Sequence, residues 1–200
     1  MTWLNNFYTY IDVVDEQHKK LFELLQILCN GFENKEINDE LLNKAFNDMN
    51  SYAQKHFVDE ELLMAHHKLD ERHIRIHRME HNSFMYDTEQ LGVQLSSKKN
   101  LDHITLEALL EKTISFITAW LTYHILGMDQ MMAGQIRAIE QGAKPEMAYN
   151  AFRHIEYDAE TTRIILNAVL RLWQISTERC HELEKKLAEQ QNTNTDITNN

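Results

Sequence analysis

The chain has 200 residues, 43% of them hydrophobic and 26% charged, with only 5 glycines and 1 proline. That balance supports a sizeable core and excludes disorder or a membrane bundle, while the turn chemistry that a sandwich, barrel or doubly wound sheet needs at each connection is missing. The 20 basic and 31 acidic residues give a formal charge of −11, which repels nucleic acid and anionic lipid alike.

Long helices with few loops remain, so the expected class is all-α. Cys29 and Cys180 form no CxxC pair, which points away from a disulfide framework and a thiolate site and toward a reducing compartment. Met1 to Ile11 carry no basic leader, and the uncharged stretch Thr113 to Met128 is short for a membrane span and contains His124. A cytoplasmic protein with no membrane and no nucleic-acid partner is expected.

In chain order, apolar residues recur at helical spacing in five blocks. The first runs from about Asp12 to Cys29, with Leu21, Leu24, Leu25 and Leu28 on one side, and stops near Gly31. The second follows Asn38 as N-cap and carries Leu41, Leu42, Ala45, Phe46, Met49, Tyr52 and Ala53 toward Met64. The third spans about Asp70 to Leu91, ahead of Gly92 and the polar run Ser96 to Asn100. The fourth spans about Asp102 to Ile139. Four such helices with short connections make an up-and-down four-helix bundle over residues 1–140.

The fifth block, after Gly142 and Pro145, shows a seven-residue repeat. Phe152, Ala159, Leu166, Trp173, Cys180 and Leu187 form one line, and Ile155, Thr162, Val169, Ser176, Leu183 and Gln190 lie three residues later. That is a coiled-coil-like seam. Ile164, Ile165, Leu172 and Ile175 lie off it and imply a broader buried face. Residues 141–190 are therefore expected to form a long C-terminal helix. Leu166, Val169, Trp173, Cys180, Leu183 and Leu187 are its homodimer face, and packing on its own bundle is the alternative. Residues 191–200 read as a polar tail or linker.

Eleven histidines are many for this length. His56 and Glu60 are four apart, as are His77 and His81, so each pair projects from one helix face. A metal held inside a bundle needs such pairs, because each helix can present only one or two donors to the interior. His18 follows Asp15-Glu16-Gln17 in the first helix, and His124 precedes Asp129 in the fourth. Spacing leaves two points open. His73 and His77 are also four apart, and five residues from His124 to Asp129 turn an ideal helix roughly 140° past one revolution.

Four motifs in this order resemble the bacterial hemerythrins, over roughly Trp3 to Ile139. They are Asp15-Glu16-Gln17-His18, His56-Phe57-x-x-Glu60-Glu61-x-x-Met64, His77-x-x-x-His81-x-x-Phe84, and Trp120-Leu121-x-x-His124-Ile125-x-x-x-Asp129. The resemblance implies an oxo- or hydroxo-bridged pair of non-heme irons. His77, His81 and His124 would bind one iron and His18 and His56 the other, with Glu60 and Asp129 bridging. It further implies reversible O2 binding at the open position of the second iron, with Leu121, Phe57, Met64 and Trp120 as candidates for the pocket wall. Imidazoles and carboxylates without thiolate suit iron. The Glu-x-x-His motifs of ferritin-like oxidases are absent at the matching positions.

The stretch from Gly127-Met128-Asp129 through Gly142-Ala143-Lys144-Pro145-Glu146 is similar to hemerythrin domains that sit ahead of diguanylate cyclase domains. No Gly-Gly-Asp/Glu-Glu-Phe motif occurs, so no cyclase activity is expected of this chain. The expected function is an oxygen or redox sensor module acting through its last helix, regulating a cyclic-di-GMP output domain that is covalently linked or has been lost. An O2 carrier, store or delivery protein is the alternative, and a diiron peroxidase or NO-handling enzyme a lesser one.

Overall fold

A computed structural model describes residues 5–34, 39–97, 103–154 and 156–198. The side chains at 39, 41, 42, 45, 94–97, 103–106, 179, 182, 186 and 190–198 lie outside that description. Trp3, the expected cap at Asn38, the expected start at Asp102, most of the break at 96–100 and Ile155 also fall outside it.

Four helices form the bundle: α1 (Asp12–Glu33), α2 (Asp39–His66), α3 (Glu71–Ser97) and α4 (His103–His124). α1 packs on α2, α2 on α3, α3 on α4 and α4 on α1, which closes the ring expected from the hydrophobic periodicity. The fourth block is not one helix, however. After His124 the chain makes a π turn over Ile125–Asp129 and continues as α5 (Gln130–Glu140).

α5 ends on Gly142, whose φ of 92° suits glycine. The Gly142 N–H reaches the Ile139 carbonyl and the Ala143 N–H the Ala138 carbonyl, both at 2.9 Å, so a Schellman pair of bonds closes the helix. Pro145 then opens α6 (Pro145–Phe152). A Cβ on Gly134 would lie 2.3 Å from the Phe152 ring, so only glycine lets α6 approach α5 this closely.

The fifth block is also divided, because residues 153–158 separate α6 from α7 (Ala159–Thr198). Asp158 caps α7 by accepting from Thr161 N–H at 2.8 Å, so Phe152 does not share a helix with the rest of the seam. α7 also runs through 191–198, where a tail was expected. That segment holds no glycine or proline to stop a helix already propagating.

Two separate apolar clusters fill the bundle. The larger contains Leu21, Leu25, Met49, Phe84, Leu110 and Ile117; the smaller contains Val14, Met64, Leu69, Ile74, Met132 and Ile136. α7 lies along α4 with Ile164, Ile165, Leu172 and Ile175 against the larger cluster, and Arg171 Nη2 donates to Ser115 Oγ at 3.1 Å. Its other face is bare: Leu166, Trp173, Leu183 and Leu187 are each more than half exposed, and Cys180 is exposed. Among the described residues, no helix is long and apolar enough to cross a membrane.

α3 starts on Asp70, whose Oδ1 accepts from Arg72 N–H at 3.0 Å while the Arg72 guanidinium meets the carboxylate twice at 2.8 Å. The hydrogen bonds from Arg72 hold the Asp70 carboxyl down at about 2, against an ordinary 3.8. A depressed carboxyl contributes stability above its unfolded value and loses it as pH falls through the folded one. Asp70→Ala should therefore cost about 1 kcal/mol in urea unfolding at pH 7, with the deficit fading toward pH 2. Equal stability of the two proteins at pH 7 would show that α3 is started by other contacts.

Candidate metal centre

Between the two apolar clusters lies a layer of seven wholly buried donors: His18 from α1, His56 and Glu60 from α2, His77 and His81 from α3, His124 from α4 and Asp129 from the π turn. The i, i+4 pairs point inward because each occupies the apolar stripe of its helix, one turn from Phe57, Met64 or Phe84. Asp129 reaches the layer through the π turn. There hydrogen bonds close from i to i+5, as the Gln130 N–H does on the Ile125 carbonyl, so a residue five positions on returns to the face of His124.

The donors form two groups. Glu60, His77, His81 and His124 converge in one, and His18, His56, Glu60 and Asp129 in the other, with the ligand atoms of each group within 4.8 Å of one another. The two carboxylates span both. Glu60 Oε2 lies 3.2 Å from His81 Nε2 and 3.5 Å from His77 Nε2, while its Oε1 lies 3.7 Å from His56 Nε2. Asp129 Oδ1 lies 3.2 Å from both His77 and His124 Nε2, and its Oδ2 lies 3.1 Å from His18 Nε2.

These residues fit a pair of cations. Two donors at right angles, each about 2.1 Å from one ion, stand about 3.0 Å apart. His124 Nε2 is 3.1 Å from the Nε2 atoms of both His77 and His81. Among the described residues, both oxygens of Glu60 and of Asp129 are buried and face only imidazole nitrogens, none at good hydrogen-bond geometry, a shortfall that a cation between them would relieve. Imidazole and carboxylate donors suit iron.

Outer contacts orient the rings. His56 Nδ1 donates to Gln17 Oε1 at 2.9 Å, and Gln17 Nε2 donates to Asp59, which also takes Lys55. His77 Nδ1 faces His73 Nε2 at 3.3 Å. His81 Nδ1 lies 3.7 Å from Glu61, which Arg78 holds at 2.8 Å. Sequence spacing left His73 and His81 as rivals; His81 faces the cluster, and His73 is buried behind His77. Gln17, Glu61 and Arg78 went unassigned, although Gln17 and Glu61 adjoin His18 and Glu60 in the quoted motifs. Asp15 accepts from Thr9 N–H and Oγ1 at 2.7 Å and from Tyr10 N–H at 3.0 Å, fastening the N-terminal segment to the start of α1.

Of the four residues expected at an O2 pocket, Phe57 stacks on His81 with ring centroids 3.9 Å apart and Trp120 on His124 at 4.2 Å. Phe57 also stands 5.7 Å from the His56 ring and so touches both groups, while Trp120 braces the three-histidine group. Leu121 belongs to the larger apolar cluster and Met64 to the smaller, on opposite sides of the layer.

Comparison with known proteins gives the same picture. Residues 9–136 match the Hemerythrin HHE cation binding domain. A bacteriohemerythrin of Clostridium acetobutylicum is 26% identical over 132 residues, covering 64% of this chain and 95% of the relative. Bacteriohemerythrins of Stenotrophomonas maltophilia and Pseudomonas paraeruginosa are 24% and 26% identical, covering 69% and 70% of this chain and 82% and 81% of theirs.

Without metal, the charges in the layer oppose one another. Burial lowers His56 to about 4 and His73 to about 3, and it lowers His124 too. Burial also works against a proton on His77, but the carboxylates of Asp129 and Glu60 outweigh it and raise that imidazole to about 9. Burial resists ionisation of Glu60 and Asp129, yet the surrounding imidazoles pull both below the usual carboxylate range. A raised imidazole stabilises below its unfolded value near 6.5 and loses that contribution as pH rises through 9; a lowered one destabilises as pH falls from 6.5 toward 4. The melting temperature of metal-free protein should thus peak near pH 6.5 and fall on both sides, more steeply in acid, where three imidazoles must charge. A flat profile across that range would show that these rings are solvated.

Proposed function

This chain belongs to the hemerythrin family, and from that premise we propose that it is a non-heme diiron O2-binding protein whose bundle acts as an oxygen or redox sensor for α7. Hemerythrins bind O2, and the family is one of binding proteins rather than enzymes. The observation that carries the diiron reading is the pair of carboxylates: Glu60 and Asp129 each turn one oxygen toward either group of imidazoles. His77, His81 and His124 would hold one iron, His18 and His56 the other, and Glu60 and Asp129 both. The iron pair supplies the electrons for reversible O2 binding.

The chain's own residues do the rest. Gln17 and His73 fix the Nδ1 side of two rings, which leaves Nε2 aimed inward. Phe57 and Trp120 clamp two more, and the apolar clusters above and below exclude water. Purified protein should carry two irons per chain and change its visible spectrum reversibly on reduction and exposure to air. His56→Ala, His77→Ala and His124→Ala should each lower iron content and thermal stability together, because metal binding contributes to folding. Full loading in all three would refute the site.

The sensor reading divides the chain into a binding bundle, residues 1–140, and a signalling helix beyond it. The family match ends at residue 136, and α7 lies wholly past it. Trp120 links them, stacking on His124 while lining a cavity of about 270 Å³ under Leu172 and Ile175. The bare seam of Leu166, Val169, Trp173, Cys180, Leu183 and Leu187 is the parallel homodimer face, since six apolar side chains at heptad spacing lie exposed along it. The output we assign is a diguanylate cyclase domain, on the resemblance of residues 127–146. Trp173→Glu should give monomers with unchanged iron content by sedimentation. An unmodified protein monomeric at high micromolar concentration in both redox states would favour an O2 carrier instead.

A further inference from the structure

Helix α7 begins next to a contact with the metal layer. The Tyr157 hydroxyl donates to the main-chain carbonyl of Leu126, inside the π turn Ile125–Asp129. The next residue, Asp158, is the cap of α7: its carboxylate takes Thr161 N–H at 2.8 Å and Thr161 Oγ1 at 2.9 Å, and its carbonyl takes Thr162 N–H at 2.9 Å. Asn6 Nδ2 reaches Thr161 Oγ1 at 2.5 Å from the N-terminal segment. One short stretch, residues 157–161, thus joins the π turn, the first turn of α7 and the start of the chain.

π turns are rare and tend to occur singly, at functional sites. Here the turn has a specific task. Slipping back by one residue to α spacing would rotate Asp129 by about 100° and carry its carboxylate away from His18, His77 and His124. A carbonyl oxygen has two lone pairs, so a phenol can add a bond to a main-chain ladder without competing with it. Burial pushes the Tyr157 hydroxyl up to about 12, which keeps it a donor at any ordinary pH.

We infer that Tyr157 is a positioning residue for Asp129, its hydroxyl holding the π turn in register and fastening the start of α7 to the metal layer through the same bond. Tyr157 lies outside the residues matched to the family. The effect on iron rests on the diiron reading; the hold on the π turn does not.

Tyr157→Phe in the full chain keeps the ring and removes only the donor. In metal-free protein, amide hydrogen exchange should rise about tenfold at 126–131 with α1 to α3 unchanged, and iron(II) affinity against a chelator should fall about tenfold, as for other residues that orient metal ligands. Asp158→Ala should speed exchange at 159–162 alone. Unchanged exchange at 126–131, exchange raised evenly through the bundle, or wild-type iron affinity in Tyr157→Phe would each overturn the inference. Should the wild-type chain take no iron, the diiron reading fails, and exchange in the metal-free protein still decides the role of Tyr157.

Discussion

Two carboxylates with no access to water dictate this structure. An ionised carboxylate in an apolar interior is among the costliest groups to bury unless cations or several donors surround it, and Glu60 and Asp129 are both fully buried. Five imidazoles face them, drawn from all four bundle helices, so no helix can shift along its neighbours without uncovering a charge. The split of the core into two apolar clusters follows from the same constraint. The apolar stripes accordingly pass from one cluster to the other across the layer, between Val14 and Leu21 in α1 and between Ile74 and Phe84 in α3.

Most of that layer was legible in the sequence because it repeats every four residues on regular helices. The prediction that His56, His77 and His124 variants lose iron uses nothing beyond that spacing and the family likeness. What spacing alone could not separate was His73 from His81, since each stands one turn from His77 on the same face. Only the packing shows that His73 Nε2 is spent on His77 Nδ1. Gln17 was hidden for a related reason: its partner, His56, is on another helix, and no pattern within α1 marks a side chain whose role is to orient a ring of α2.

Asp129 shows a different limit. On an ideal helix it does not share the face of His124, and the π turn that brings it there has little local signature. Gly127 is the one residue in it that invites suspicion, yet a Cβ at that position would meet nothing within 4 Å, so sterics do not demand glycine there. The turn is held by tertiary contacts, of which the Tyr157 hydroxyl is one, and a contact 31 residues away in sequence is invisible to any periodicity. The break before α7 is likewise invisible to periodicity. The heptad lines run unbroken from Phe152 to Leu187 as letters, while Asp158 restarts the backbone.

That restart matters for α7. A single helix from 145 onward would carry the orientation of α6, which Gly134 presses against α5; a fresh cap at Asp158 lets α7 choose its own direction and lie along α4. In that position Ile164, Ile165, Leu172 and Ile175 are spent on the bundle, which leaves the heptad line of Leu166 and Trp173 facing outward, uncovered by any of the described residues. The two apolar faces of α7 are therefore distinct, one packed on the bundle and one exposed. One keeps the helix in register with α4, whose Trp120 rests on His124. The other stays exposed along the heptad line and is the face proposed above for a second copy of the chain.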